Sequence, residues 1–287
     1  RRGYGAVTDP DASRLVFVAG LHRSGTTPLA RAMAEHPAIS GLHDTGVKED
    51  EGQHLQSVYP TAKRYGGPGR FATDQRAHLT EASELVSPEN AKLLWHEWAP
   101  FWDLDRELLL EKSPPNLIMG RFLQALFPGS AFVVVVRHPV VVALSTAKWR
   151  RLASRNFQNY TSVYDMVEHW LHAHEVFLGD LPHLERVHVV RYEDLVTDPD
   201  AELAPIQSLL GLSEPIPSQS LHASHSSRYE RTWSAMATSS FIDSRKRRRI
   251  ESDFGDRVAA FGYDTADLSV RQPWSRCVQT GGATPTQ

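Results

Sequence analysis

Short runs of unbroken apolar residues alternate along this chain with longer amphipathic stretches. Leu15-Val16-Phe17-Val18-Ala19 is apolar at every position and stops at Gly20, and Thr27 to Glu35 then carries helical periodicity up to His36-Pro37. That is a strand, a loop and a helix. Ala131 to Val136 is again wholly apolar, as expected for a strand covered on both faces in a parallel sheet, with Pro139 placed to open the next helix. Val187-His188-Val189-Val190 gives a third strand. Leu108-Leu109-Leu110 followed by Pro115 to Phe127 gives another strand and helix, and Pro128-Gly129 turns into the valine-rich strand. Strands alternating with helices predict right-handed crossovers and a three-layer α/β/α sandwich on a central parallel sheet.

No internal repeat or low-complexity block divides the chain, so residues 1–287 read as a single domain. Between Tyr59 and Asp105 the pattern is irregular. Gly66-Gly67-Pro68-Gly69 precedes an aromatic group, Trp95, Trp98, Phe101 and Trp102, and the stretch reads as a mainly helical cap on the acceptor side of a site. The aromatic group suits core packing first and a pocket wall second. Phe241 to Phe261 predicts a helix carrying the Arg245 to Arg249 basic run, whose ordinary place is a solvated face.

Composition narrows the function classes. Lys and Arg number 31 against 34 Asp and Glu, a formal net charge of −3, too balanced for a nucleic-acid binder working by bulk attraction. The longest apolar run falls far short of the roughly 20 residues that cross a membrane. The one cysteine, Cys277, forms no intrachain disulfide and no cysteine-based zinc site, which favours a reducing, cytoplasmic setting. His169, His172 and His174 have the spacing of a zinc pair but lack a supporting carboxylate or cysteine cluster, so they read as the polar face of a helix and no metal site is assigned.

The chemistry-bearing segment is Gly20-Leu21-His22-Arg23-Ser24-Gly25-Thr26-Thr27. Two glycines at P-loop spacing lie between a strand and a helix, the context such a motif requires for phosphate binding. A tight turn without ligand is the alternative. The motif's lysine slot holds Thr26, with the cation moved to Arg23. The strand ending at Val136 carries Arg137 where a nucleoside triphosphatase would place its magnesium-binding carboxylate. Two arginines at two strand ends point to a nucleotide with phosphate-like groups in two places. Ser145, eight positions on, would face the sheet edge beside Arg137.

These residues resemble the PAPS-dependent sulfotransferases, cytosolic and tyrosylprotein types included. Arg23-Ser24-Gly25-Thr26-Thr27 is similar to the family's 5′-phosphosulfate loop. Val136-Arg137-His138-Pro139 with Ser145 resembles the motif that binds the 3′-phosphate. Tyr192-Glu193-Asp194-Leu195 resembles the segment whose tyrosine lies near adenine, and Lys112 in Glu111-Lys112-Ser113-Pro114 takes the place of the lysine that reaches the transferred sulfuryl group. The resemblance implies 3′-phosphoadenosine 5′-phosphosulfate (PAPS) as donor and PAP as product, with transfer to a hydroxyl or amine of an acceptor, most simply a small molecule.

Two departures matter. The histidine base of the cytosolic enzymes is replaced by Pro114. The C-terminal Arg-Lys-Gly cofactor segment is missing, and Arg228-Tyr229 is its first stand-in, with the Arg245 to Arg249 run ranked after it. The tyrosylprotein enzymes place a glutamate soon after the first helix, and an ungapped count from Arg23 reaches Asp44, with His43 beside it. The base is therefore expected within His43 to His54, ranked Asp44, His43, Glu51 and His54. If a helix begins near Val47, Glu51 and His54 share a face. A solvated acidic helix start is the competing reading of the same segment. A P-loop kinase or NTPase, or a nucleotide-binding protein without turnover, are the alternative functions.

Overall fold

The computed structural model describes residues 11–153, 162–221 and 226–273, so Cys277 lies outside the described residues. Five strands, β1 (Leu15–Ala19), β2 (Ile39–Gly41), β3 (Leu108–Lys112), β4 (Ala131–Val136) and β5 (Val187–Arg191), form one sheet in the order β2-β3-β1-β4-β5. Every pairing is parallel. The register sets Val18 beside Lys112 on one side and beside Val133 on the other. The carboxyl ends of β3, β1 and β4 therefore open side by side. After β1 the chain first builds out to β2 and β3, then returns to the other side of β1 for β4 and β5. A crevice at the carboxyl ends of such a sheet is where α/β folds bind ligands.

Alternate residues of the strands fill two cores. Leu15, Phe17, Phe132, Val134 and Val136 face one side, covered by Trp98 of α2 (Pro88–Trp98), Phe122 of α3 (Gly120–Leu126), Val140 of α4 (Pro139–Ala153) and Trp170 of α5 (Val163–Asp180). Val16, Val18, Val133 and Val135 face the other, under Leu29 and Met33 of α1 (Thr26–Ala34) and Leu203 and Ile206 of α7 (Pro199–Leu210), which follows the single-turn α6 (Tyr192–Leu195). This is the three-layer sandwich that the strand–helix alternation predicts. Two C-terminal helices, α8 (Ser226–Met236) and α9 (Phe241–Ala259), pack on the α4 and α5 side.

Four details differ from the sequence pattern. The edge strand β2 has only three residues and no apolar run to announce it. The stretch after β3 divides into a 3-10 segment, Pro114–Ile118, and α3, because the Asn116 side chain donates to the Val18 carbonyl (3.3 Å) and to Glu111 (2.6 Å) instead of following the helix. Residues 59–105 are less helical than expected: four 3-10 turns, with α2 the one α-helix there, since Gly66, Gly67 and Gly69 all take positive φ. Finally, α5 turns His169 and His174 inward rather than presenting a polar face. His169 Nε2 accepts from the Ala72 amide at 3.2 Å, and His174 stacks on Trp170 at 3.8 Å.

Within the basic run, Arg247 binds Glu251 and the Trp233 and Ala266 carbonyls, and Arg249 lies over the Tyr164 ring. Those two guanidiniums fasten α9 to its neighbours.

Phe17 sits at the centre of the larger core, stacked on Phe132 at 5.3 Å and edge-on to Trp98 at 6.2 Å. Phe17→Ala is expected to lower unfolding free energy by about 3–5 kcal/mol. Urea denaturation would show this as a lower midpoint at unchanged slope, and an unmoved midpoint would contradict the assignment.

Candidate active site

At the carboxyl edge of the sheet lies a cavity of about 870 Å³. One end is formed by the loop between β1 and α1. Gly25 caps α1 with φ 106°, a conformation side chains rarely take, and a Cβ there would stand 2.1 Å from the Tyr192 ring. The glycine thus lets the loop close against the end of β5. With no side-chain cap, the first turn of α1 is left with its N–H groups and positive dipole end at the cavity, where Gly25, Thr26 and Thr27 line the wall. Among the described residues the buried Ser24 hydroxyl has no hydrogen-bond partner. A buried polar oxygen of that kind, in a loop suited to an anion, fits a phosphate-bearing ligand.

The arginines expected at the two strand ends are drawn together. Arg23, itself at φ 73°, donates from Nε to Ser145 Oγ at 3.1 Å, and Arg137 Nη1 donates to the Arg23 carbonyl at 3.1 Å. Tyr229 Oη donates to Ser145 Oγ at 3.2 Å. Arg137 is buried, with its guanidinium 4.2 Å from the centre of the Tyr192 ring, and burial lowers its pKa from the usual arginine value. Its backbone is fixed too: Trp170 Nε1 donates to the Arg137 carbonyl and the His138 amide donates to Glu193. His138 accepts from the Val140 amide on Nδ1, so its other nitrogen donates to the Asp264 carbonyl at 3.0 Å. Burial drives its pKa down to about 4. Arg228 is exposed and away from the cavity wall, whereas its neighbour Tyr229 reaches Ser145.

The other end is formed by the 48–54 segment and the start of the 59–105 stretch. No α-helix begins near Val47. Two 3-10 turns, Lys48–Asp50 and Gly52–His54, take its place, because Glu49 and Asp50 hold left-handed φ of 58° and 48° and Asp50 is pinned by the Thr45 hydroxyl at 2.6 Å. The tighter turn still brings residues three apart together: His54 Nε2 is 3.7 Å from Glu51 Oε2. Glu51 Oε1 is 3.4 Å from Lys112 Nζ, and both side chains are buried. His43 and Asp44 contact each other at 3.3 Å but are not part of the cavity wall, and the Asp44 side chain is 99% exposed. Pro114 lines the wall where the resemblance would place a histidine.

Glu111 and His22 were not assigned roles from the sequence. Glu111 has no exposed surface and accepts from the Gly52 amide (2.9 Å), the Ser113 hydroxyl (2.5 Å) and Asn116 (2.6 Å). Burial raises its pKa to about 7 against the lowering effect of those donors. A charged residue closing a run of leucines was the available signal. His22 lines the cavity, and burial, then the Lys112 charge, lowers its pKa to about 3, so it is neutral near pH 7. Lys48, Lys63 and Arg70 also line the cavity, and nothing local in their sequence marks them.

A phosphate-binding loop on a parallel α/β sheet, with arginine at the second strand end and a buried lysine beside a carboxylate, defines a nucleotide-dependent group transferase. The sulfotransferase family matches residues 16–215, and the chain belongs to that family: it is an enzyme of sulfuryl transfer. Among solved structures it is similar to sulfotransferase STF9 from Mycobacterium avium, at 13% identity and TM-score 0.51, covering 80% of this chain and 70% of that one. It is also similar to a sulfotransferase from Alicyclobacillus acidocaldarius, at 17% identity and TM-score 0.49, covering 86% and 96%. A third is sulfotransferase STF1 from Mycobacterium tuberculosis H37Rv, at 19% identity and TM-score 0.45, covering 74% and 71%. Among the described residues no group of three or more His, Cys, Asp and Glu is arranged to hold a metal ion, and no helix is long and apolar enough to cross a membrane.

A carboxyl whose pKa is raised on folding binds its proton more tightly in the native state. Stability therefore falls as pH rises from about 4.5, the ordinary glutamate value, to about 7, and levels off above. Glu111→Gln removes this contribution. The difference between wild type and variant in urea-determined stability should change by about 3 kcal/mol across that window, and a pH-independent difference would refute the Glu111 assignment.

Proposed function

We propose that the chain transfers the sulfuryl group of PAPS to a hydroxyl of a small acceptor, releasing PAP, with Glu51 as the base and Lys112 as the principal cation at the reacting sulfur. The observation that carries this reading is the buried Lys112–Glu51 contact of 3.4 Å at the carboxyl end of β3, next to the anion loop. The donor would supply an activated sulfate on its 5′-phosphate. The amides of residues 25–27, Ser24 and Arg23 would hold that end, while Arg137 and Ser145 would receive the 3′-phosphate and Tyr192 would lie by the adenine. The unpartnered Ser24 hydroxyl and the close fit of Tyr192 on Gly25 support this placement.

Catalysis by these residues is positioning and charge neutralisation. Glu51 takes the proton of the acceptor hydroxyl as its oxygen bonds to sulfur, and the bond from sulfur to the bridging phosphate oxygen breaks. Lys112 and Arg23 neutralise the charge gathering on the sulfuryl oxygens and the leaving phosphate. Gln53 donates to Glu51 Oε2 at 2.6 Å and His54 stands on the same oxygen, so the carboxylate keeps a fixed direction with a side chain at hand to pass its proton outward. The neutral imidazole of His22 adds a polar, uncharged wall. Asp44, fully in solvent, and His43 are left without a part in proton transfer. Arg228 yields its place to Tyr229. The Ala62 to Arg70 part of residues 59–105 caps the acceptor end, and Trp95, Trp98 and Trp102, all buried, belong to the core. The same reading keeps residues 1–287 as one domain, places the protein in the cytoplasm on the strength of its lone cysteine, and gives it neither nucleic acid nor metal as a partner.

Lys112→Ala is expected to reduce turnover about a hundredfold or more, the usual cost of removing one donor to transition-state charge. Glu51→Gln should lower turnover by a comparable factor, and Asp44→Ala should keep it. Transfer of radiolabelled sulfate from PAPS checks all three, and an active Glu51→Gln enzyme would remove Glu51 from the chemistry. Calorimetry should show PAP binding without magnesium, in preference to ATP with magnesium. The reverse preference would favour a nucleotide kinase, and PAP binding with no transfer to any acceptor would favour a protein without turnover.

A further inference from the structure

The β1–α1 loop carries a ring that takes no part in the hydrogen bonds holding the loop together. Gly20, at φ 144°, turns the chain past the carboxyl end of β1, and His22 follows two residues later. β1 and β3 run side by side with Val18 opposite Lys112, so His22, a few positions on, comes out near the lysine. Of the charges that act on the imidazole, that of Lys112 is the largest, ahead of those of His54, Lys48 and Arg23. The ring therefore stands in the cavity wall where the anion loop meets the group formed by Lys112, Glu51 and His54.

Its direction is set from behind. Phe71, fully buried, meets the His22 ring edge-on at 5.8 Å and meets His169 of α5 in the same manner at 5.2 Å. The Ala72 amide donates to His169 Nε2 at 3.2 Å, which pins the turn carrying Phe71 to α5. The inward turn of His169 thus supports His22 at one remove.

The two ring nitrogens of His22 differ in their surroundings. Nδ1 is buried and has no hydrogen-bond partner among the described residues, which leaves Nε2 as the nitrogen with open surface in a half-buried side chain that lines the cavity. An orphaned buried N–H is rarer and costlier than an under-used acceptor, so the ring proton belongs on Nε2 and the bare lone pair on Nδ1. Burial, then the Lys112 charge, hold the pKa at about 3, and the ring takes no second proton near neutral pH. In that state a histidine is a poor base and a steady donor.

We infer that His22 is a further catalytic residue of the transfer, its Nε2–H donating to an oxygen of the donor's sulfuryl group alongside Lys112 and Arg23. This rests on the sulfuryl-transfer reading above and deepens it. Two cations and one neutral N–H then serve the non-bridging oxygens of the sulfuryl group. The acceptor oxygen bonds to sulfur, the bond from sulfur to the bridging phosphate oxygen breaks, and the hydroxyl proton goes to Glu51. His22 keeps its own proton throughout.

Two variants separate the reach of the side chain from its polarity: a glutamine amide extends to the place of Nε2, an asparagine amide only to that of Nδ1. Calorimetry on the full chain with PAP and with PAPS isolates the sulfuryl group as the ratio of the two affinities. His22→Asn should lower that ratio about tenfold or more, the loss of one hydrogen bond to a charged group, and His22→Gln should hold it within about threefold of wild type. PAP affinity should be unchanged in both, which also shows that they fold. Proton–nitrogen correlation spectra of the labelled wild-type protein, with the His22 signal identified by its loss in His22→Gln, should show a neutral ring protonated on Nε2. PAPS should move that proton downfield and PAP should move it much less. Where the variants fail to bind PAP, the wild-type spectra decide. An imidazolium near neutral pH, a proton on Nδ1, a ratio untouched in His22→Asn, an equal loss in His22→Gln, or an Nε2 proton that PAPS leaves in place would each overturn the inference. Failure of the wild-type protein to bind PAP or PAPS would instead overturn the donor reading.

Discussion

A carboxylate buried without access to water must be surrounded by donors, and the site's geometry depends on how this chain meets that demand at Glu111. Desolvating a charge costs several kcal/mol unless hydrogen bonds replace the lost water. The replacements come from three places: the Gly52 amide, the Ser113 hydroxyl and the Asn116 side chain. Each contact has a structural consequence. The Gly52 amide ties the turn after Glu51 to the centre of the sheet, and Ser113 in turn accepts from the Gln53 amide at 3.0 Å. Trp98 donates to the Gly52 carbonyl at 3.0 Å, so the turn is held from its outer side as well. Glu51 is thus brought against Lys112, the residue next to Glu111 on the same strand, by bonds that do not involve Glu51 itself.

The end of the cavity at the β1–α1 loop works by a different constraint, close approach of backbone. The left-handed φ values at Arg23 and Gly25 fold the loop so that its carbonyls, amides and side chains point to separate tasks. The Arg23 carbonyl receives Arg137, the Arg23 side chain receives Ser145, and the first turn of α1 is left for an anion. Loop, β4 end and β5 end are consequently one connected unit through Arg23, Arg137 and Tyr192. Such strain at Arg23, Glu49 and Asp50 gathers around the cavity, as expected where surrounding structure holds a functional geometry in place.

Sequence alone determined four of the five strands, their parallel alternation with helices, and the glycine loop after β1. β1 and β4 are runs of consecutive apolar residues because both faces of a parallel sheet are covered there, β3 opens on three leucines and β5 carries three valines, and the glycine loop, Arg137, Ser145 and Lys112 sit at fixed short offsets from those strands. Local spacing was enough wherever an element's own neighbours set its geometry. The end of the cavity formed by residues 48–54 was decided by tertiary structure. Glu51 and Lys112 are 61 positions apart, and their meeting depends on which turn Gly52 makes over Glu111. A three-residue edge strand leaves no periodicity, and left-handed φ at Glu49 and Asp50 gives no helical pattern to find. The sequence ranks Asp44 ahead of Glu51, and only the fold sends the first into solvent and buries the second beside a lysine. Lys48, Lys63 and Arg70 became members of one wall for the same reason: long-range packing brings together side chains whose own sequence surroundings carry no trace of the shared cavity.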